Sequence, residues 1–162
     1  GLSGAGKTSI GKLFYNKMKL EQPNTIFLDG DELRLILGIK ESFSMANRLA
    51  VSYVYSRLCK FLANQKLNVV IATISMFEEV RNWNKKNISN YKEVYIKVPI
   101  DILINRDQKG LYSKAIKGEI KNVIGIDIKV DEPKSPDFVC VNDGSKSIQK
   151  LANEIFLFFK KS

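Results

Sequence analysis

Short apolar runs alternate with longer amphipathic stretches along the chain. The runs Thr25–Leu28, Val69–Ile74, Val94–Val98 and Phe138–Val141 are hydrophobic almost without interruption and rich in β-branched and aromatic residues. A strand with one wet face would alternate apolar and polar positions, so these runs predict strands buried on both faces of a parallel sheet. Between them the period changes. From Lys7 to Met18, residues Ile10, Leu13, Phe14 and Met18 share one helical face; from Ala46 to Gln65, Leu49, Tyr53, Leu58, Phe61 and Leu62 do so; Ser147 to Lys160 predicts a closing helix. Strands alternating with helices imply a three-layer α/β fold with a central parallel sheet. No repeat, low-complexity tract or linker interrupts the pattern, and 162 residues read as one domain, 1–162. Tyr53, Tyr55 and Phe61 are read as core side chains, Trp83 as a packing or surface aromatic on a helix, and Lys85-Lys86 as a solvated helix face.

Composition narrows the chemistry. Histidine is absent, which excludes histidine acid–base catalysis, Ser-His triads and His-ligated zinc. Cys59 and Cys140 match no metal spacing and read as core thiols in a reducing compartment. The net charge of +9 attracts anions. Its Lys and Arg residues form no block, which favours general surface charge plus a nucleotide site over a nucleic-acid face. No apolar run approaches the roughly 18–20 residues that span a bilayer, and no signal peptide is visible. The expectation is a cytoplasmic protein with no membrane and no nucleic-acid partner.

The most specific local signal is Gly1-Leu2-Ser3-Gly4-Ala5-Gly6-Lys7-Thr8, which matches G-x-x-x-x-G-K-[ST] in full. Glycines let successive backbone N–H groups turn inward onto phosphate oxygens, and the helix that follows adds its positive end. Residues 1–8 and the adjoining Ser9 are therefore the expected ATP site. Lys7 would reach the β- and γ-phosphates, and the Thr8 hydroxyl would ligate Mg²⁺. The fold class sharpens to a P-loop NTPase. That loop normally follows a central first strand, so the sequence predicts a short strand ahead of Gly1 and, without it, a sheet open in its middle. No Asn-Lys-x-Asp guanine-reading motif is present, which favours a small-molecule kinase over a GTPase.

Leu28-Asp29-Gly30-Asp31 sets two carboxylates at the end of a predicted strand, where open α/β sheets bind ligands. Asp31 can accept a hydroxyl proton from an acceptor and orient Mg²⁺-bound water; a solvated Asp-Gly turn is the alternative. Arg34 lies one helical turn further on, placed to clamp an anionic acceptor.

These residues belong to a longer ordered pattern: Phe43 and Arg48, then Ile74-Ser75, Arg81, and Arg106-Asp107-Gln108-Lys109-Gly110-Leu111-Tyr112-Ser113-Lys114-Ala115. Gly118, Ile120, Gly125-Ile126-Asp127, Glu132-Pro133 and Pro136 follow. Over almost its whole length the chain resembles the adenylylsulfate kinase family, whose members phosphorylate the ribose 3′-hydroxyl of adenylyl sulfate with ATP. The resemblance implies that Asp31 activates that hydroxyl and that Arg34 and Arg48 hold the acceptor's anionic groups. It implies that Phe43 stacks on the acceptor base, that Ile74 lines the acceptor site, and that Ser75 is the family's phosphoserine position. Residues 106–112 match the lid over the nucleotides, with Arg106 on the ATP side, Lys109 on phosphate, and Gly110 and Leu111 beside the acceptor. A homodimer is common in the family.

The departures fall on the acceptor half. Val51 stands where the family has Asn, Val123 where it has a second stacking phenylalanine, Tyr53-Val54 replace paired arginines, and Ser75-Met76 replaces Ser-Pro. A divergent branch phosphorylates cytidine diphosphoramidate at its 3′-hydroxyl in bacterial capsule biosynthesis, and its smaller base and uncharged amide end agree with these losses. Both acceptors stay open at this point. So do a P-loop kinase for a non-nucleotide metabolite and a non-catalytic nucleotide- or RNA-binding module.

Overall fold

The predicted strands pair in parallel. In the computed structural model, which describes residues 1–39, 44–107 and 110–161, β1 (Thr25–Asp29) lies beside β2 (Asn68–Ala72), with Thr25 opposite Asn68 and Asp29 opposite Ala72. β3 (Val94–Lys97) lies beside β4 (Phe138–Val141), with Val94 opposite Phe138 and Lys97 opposite Val141. β2 ends two residues before the apolar run does, because Thr73 and Ile74 leave the ladder and turn into a surface cleft.

The helices are α1 (Lys7–Glu21), α2 (Gly30–Ile36), α3 (Met45–Asn64), α4 (Glu78–Asn87), α5 (Ile100–Arg106), α6 (Leu111–Ile116) and α7 (Ile148–Lys160). α1 packs on α7 and against β1 and β2, while α3 packs on β2 and α4. Ile10 is buried, and Phe14 meets Phe159 edge-on at 6.2 Å. Three helices open on side-chain caps, which satisfy amides that have no partner within the helix: Asp29 for α2, Ser44 for α3 and Ser147 for α7. One core cluster joins Ile10 on α1, Ile96 on β3, Leu103 on α5, Tyr112 on α6, Cys140 on β4 and Leu151 on α7.

Among the described residues no ladder joins β2 to β3. A cavity of about 890 Å³ separates them, lined by Val69, Val70, Ile71, Tyr95 and Ile96 and by Ile10, Phe14 and Cys59. The sheet is thus open in its middle, as the placement of the phosphate loop implied. Gly1 stands at the rim, where a Cβ would collide with the Ile96 carbonyl oxygen.

Cys59 and Cys140 are free and buried, and burial pushes both thiols up to about 11. Tyr55 is a core residue, but Phe61 is 61% exposed on the outer face of α3. Tyr53 meets Trp83 edge-on at 6.2 Å, joining α3 to α4. Lys85 is not simply solvated: it pairs with the buried Glu93 at 3.6 Å. Arg81, almost fully buried, pairs with the same Glu93 and with Asp131, and donates to the carbonyls of Ser75 and Asp131. It therefore ties the loop after β2 to the segment before β4. No helix among the described residues is long and apolar enough to cross a membrane.

Candidate active site

The phosphate loop turns back on itself because Gly4 and Gly6 adopt φ values of 72° and 88°, a left-handed region that costs glycine nothing. A side chain at Gly6 would come 2.7 Å from the Asn142 amide nitrogen. That amide donates to the Ala5 carbonyl at 2.9 Å, so the end of β4 is bonded to the loop. Tyr112 donates to the Ser3 carbonyl at 2.9 Å, and Arg106 donates to the Asn142 carbonyl at 3.1 Å. The segment after β3 is thereby fastened to the loop directly through Tyr112 and indirectly, through Asn142, by Arg106.

At the start of α1, Lys7 donates its ammonium to the Leu2 carbonyl at 2.7 Å. Burial pulls this ammonium down from its ordinary 10.5 to about 8, against the opposing attraction of Asp31 and Asp29. The folded value lies below the unfolded one. The unfolded chain therefore holds more protons between about pH 8 and 10.5, and the free protein gains stability with rising pH across that window. A bound polyphosphate favours the ammonium, so nucleotide binding above pH 8 takes up a proton. Affinity for AMPPNP is expected to fall by up to about tenfold per pH unit above pH 8. Calorimetry in buffers of different ionisation enthalpy reads both effects; a flat profile from pH 7 to 9.5 would mean that Lys7 stays charged throughout.

Thr8 donates its hydroxyl to Asp29 at 2.6 Å. Asp29 also accepts from the amides of Asp31 and Glu32, at 2.9 and 3.3 Å. Burial pushes this carboxyl up, but the Thr8 hydroxyl, the two amides and Lys12 together outweigh it and hold Asp29 below the usual carboxylate range. Asp29 is thus the carboxylate hydrogen-bonded to Thr8, while Asp31, which the sequence sets beside Thr8 at the metal, lines the same cleft. The parallel register decides this: the last residue of β1 faces the loop, and the next carboxylate opens α2. Among the described residues no cluster of three or more acidic or cysteine side chains could cage a metal ion. A hydroxyl with adjacent carboxylates does suit Mg²⁺, which prefers oxygen, keeps several waters and takes the rest of its shell from substrate phosphates.

The loop and the acceptor side share one cleft of about 1090 Å³. Leu2, Ser3, Gly4, Gly6, Lys7, Thr8 and Ser9 of the loop line it together with Asp31, Arg34, Arg48, Val51, Ile74 and Val123, with Arg106 and Leu111 also at its wall. Ala5 is buried behind the loop, and Gly1 and Ser75 line the inter-sheet cavity instead. Gly110 takes a left-handed turn, φ 65°, at the head of α6. Phe43 and Lys109 lie outside the described residues. Val123 sits in a tight turn: Asp127 accepts from its amide and from that of Asn122, and its carbonyl accepts from the amides of residues 126–128. Sequence reasoning missed Asn142, Tyr55 and Thr73 as parts of this wall; nothing in their local pattern marks them, because each enters from a different strand or helix.

A glycine-bent loop, the Lys7-Thr8 pair beneath it and carboxylates at the end of the neighbouring parallel strand define a P-loop kinase. The family model for adenylylsulphate kinase matches residues 1–141. The chain belongs to that family. It is 44% identical over 161 residues to the cytidine diphosphoramidate kinase of Campylobacter jejuni, covering 99% of this chain and 92% of that one. A probable adenylyl-sulfate kinase of Archaeoglobus fulgidus is 34% identical over 143 residues, covering 88% and 92%. The structure of the Mycobacterium tuberculosis APS kinase CysC in complex with AMPPNP and APS superposes with a TM-score of 0.87 at 35% identity, covering 99% and 94%.

Proposed function

We propose that this kinase transfers the γ-phosphoryl group of Mg-ATP to the 3′-hydroxyl of an activated nucleotide, and that its preferred acceptor is cytidine diphosphoramidate rather than adenylyl sulfate. The observation that carries the reading is the single cleft that Lys7 and Thr8 line together with Asp31, Arg34 and Arg48. Lys7 neutralises charge on the moving phosphoryl group, Asp31 accepts the hydroxyl proton, and the two arginines hold the acceptor's anionic groups. Thr8, Asp29 and Asp31 would hold Mg²⁺, which would supply charge neutralisation on the phosphate oxygens. The cytoplasmic setting and the homodimer that the resemblance implies belong to the same proposal.

The acceptor choice rests on Val51 and Val123, which line the cleft with methyl groups, and on the 44% identity to a relative named for cytidine diphosphoramidate. Specificity is a difference in transition-state binding, so it follows such positions. The expected result is a kcat/KM at least about tenfold higher for cytidine diphosphoramidate than for adenylyl sulfate, equivalent to about 1.4 kcal/mol. Val51→Asn should narrow the gap. Val123 is only 2% exposed, so a phenylalanine there would add overpacking cost of about 1–3 kcal/mol, which makes Val51 the cleaner site. If the wild type uses adenylyl sulfate at about 10⁵ M⁻¹s⁻¹ or above and ignores the cytidine compound, the acceptor assignment is wrong.

A further inference from the structure

Tyr55 reaches the cleft from the middle of α3 and is 4% exposed. Its hydroxyl donates to the Gly30 carbonyl at 2.8 Å. Gly30 lies between Asp29, the partner of Thr8, and Asp31. The turn is also pressed from below, since a Cβ on Gly30 would stand 3.1 Å from the Thr73 hydroxyl and 3.3 Å from the Ala72 carbonyl oxygen. Burial pushes the Tyr55 phenol up, and the nearby Arg34 guanidinium opposes that push. The phenol therefore stands along a full turn of α2, bonded to the carbonyl at its start and close to the guanidinium four residues on. The Nε of Arg34 is buried with no hydrogen-bond partner. A buried donor of that kind is costly, so it leaves the side chain short of partners, and Arg34 lines the cleft where an anionic acceptor would meet the rest of its guanidinium.

We propose that Tyr55 is a positioning residue for the acceptor: it fixes the Asp31-bearing turn through Gly30 and holds Arg34 so that the exposed part of its guanidinium receives the acceptor's diphosphate. The inference rests on the reading of this cleft as the site of an anionic nucleotide acceptor. Tyr55 touches neither the transferred group nor the metal. It acts through Arg34, and its effect belongs to the acceptor and not to ATP.

The test is Tyr55→Phe, which keeps the ring and removes only the hydroxyl. The expected result is an acceptor KM raised about tenfold, with the KM for ATP and the affinity for AMPPNP unchanged. A double-mutant cycle with Arg34→Ala separates acting through Arg34 from acting beside it: Arg34→Ala should cost several-fold less in the Tyr55→Phe background than in wild type. An acceptor KM within about twofold of wild type, costs that simply multiply, or equal shifts in the ATP and acceptor constants would each overturn the proposal. CDP binding to the AMPPNP-loaded protein reads the anion contact without turnover. The same tenfold loss is expected there, and its absence overturns the role of Tyr55. Failure of the wild type to phosphorylate any nucleotide acceptor, with CDP binding still dependent on Tyr55, would instead count against the proposed reaction alone.

Discussion

Replacing Lys7 by alanine is expected to lower kcat/KM by about 10²–10³-fold or more while the fold survives. Removing one preorganised donor from a charge-developing site costs about 2.7–4 kcal/mol, and Lys7 is the charged donor of the loop. Its nitrogen is already enclosed, held at the Leu2 carbonyl and drawn by Asp31 and Asp29. Little reorganisation separates that position from one on a phosphate. The bond lost within the protein is a single contact to the same loop, so thermal unfolding should change little. A variant that keeps more than about a tenth of the wild-type rate would remove Lys7 from the chemistry.

Asp31→Asn is expected to lower kcat by about 10²–10⁴-fold, the range for loss of a general base, with much less change in nucleotide affinity. Asparagine keeps the shape and the first-turn position on α2 but cannot take the acceptor's proton. The substitution carries a second signature. Asp31 is the larger of the two attractions that oppose the downward shift of Lys7, so neutralising it lets the ammonium fall further. The pH at which AMPPNP affinity begins to drop should move down. If kcat holds and only the acceptor KM rises, Asp31 orients the acceptor and another group takes the proton.

The strands and the long helices were legible in the sequence because burial on both faces leaves an unbroken apolar run, and because twelve or more residues expose a helical period. α5 and α6 are seven and six residues long, too short for any period to show. α4, Glu-Glu-Val-Arg-Asn-Trp-Asn-Lys-Lys-Asn, is mostly polar because Arg81 and Asn84 are buried in place of apolar side chains. The phosphate loop was legible residue by residue, since its conformation depends on glycines at fixed offsets. What escaped was the hydrogen bond from Thr8 to Asp29, a contact across 21 positions. The packing of Tyr55 onto Gly30 was equally hidden, being a contact across 25 positions. Phe61 went wrong for the opposite reason, because a helical period does not say how wide the buried stripe is.

The carbonyls of the phosphate loop are nearly all occupied from behind. Leu2 accepts from Lys7 and from the amide of Ala5, Ser3 from Tyr112, Ala5 from Asn142, and Gly6 from the amide of Ile10. What remains at the mouth is the opposite polarity, the first-turn amides of α1, which have no carbonyl ahead of them in the helix. The loop is thus a mould cast before anything is poured into it. Its negative ends are tied to two distant parts of the chain and to the start of α1, so a polyphosphate meets donors already aimed and gives up little entropy in ordering them.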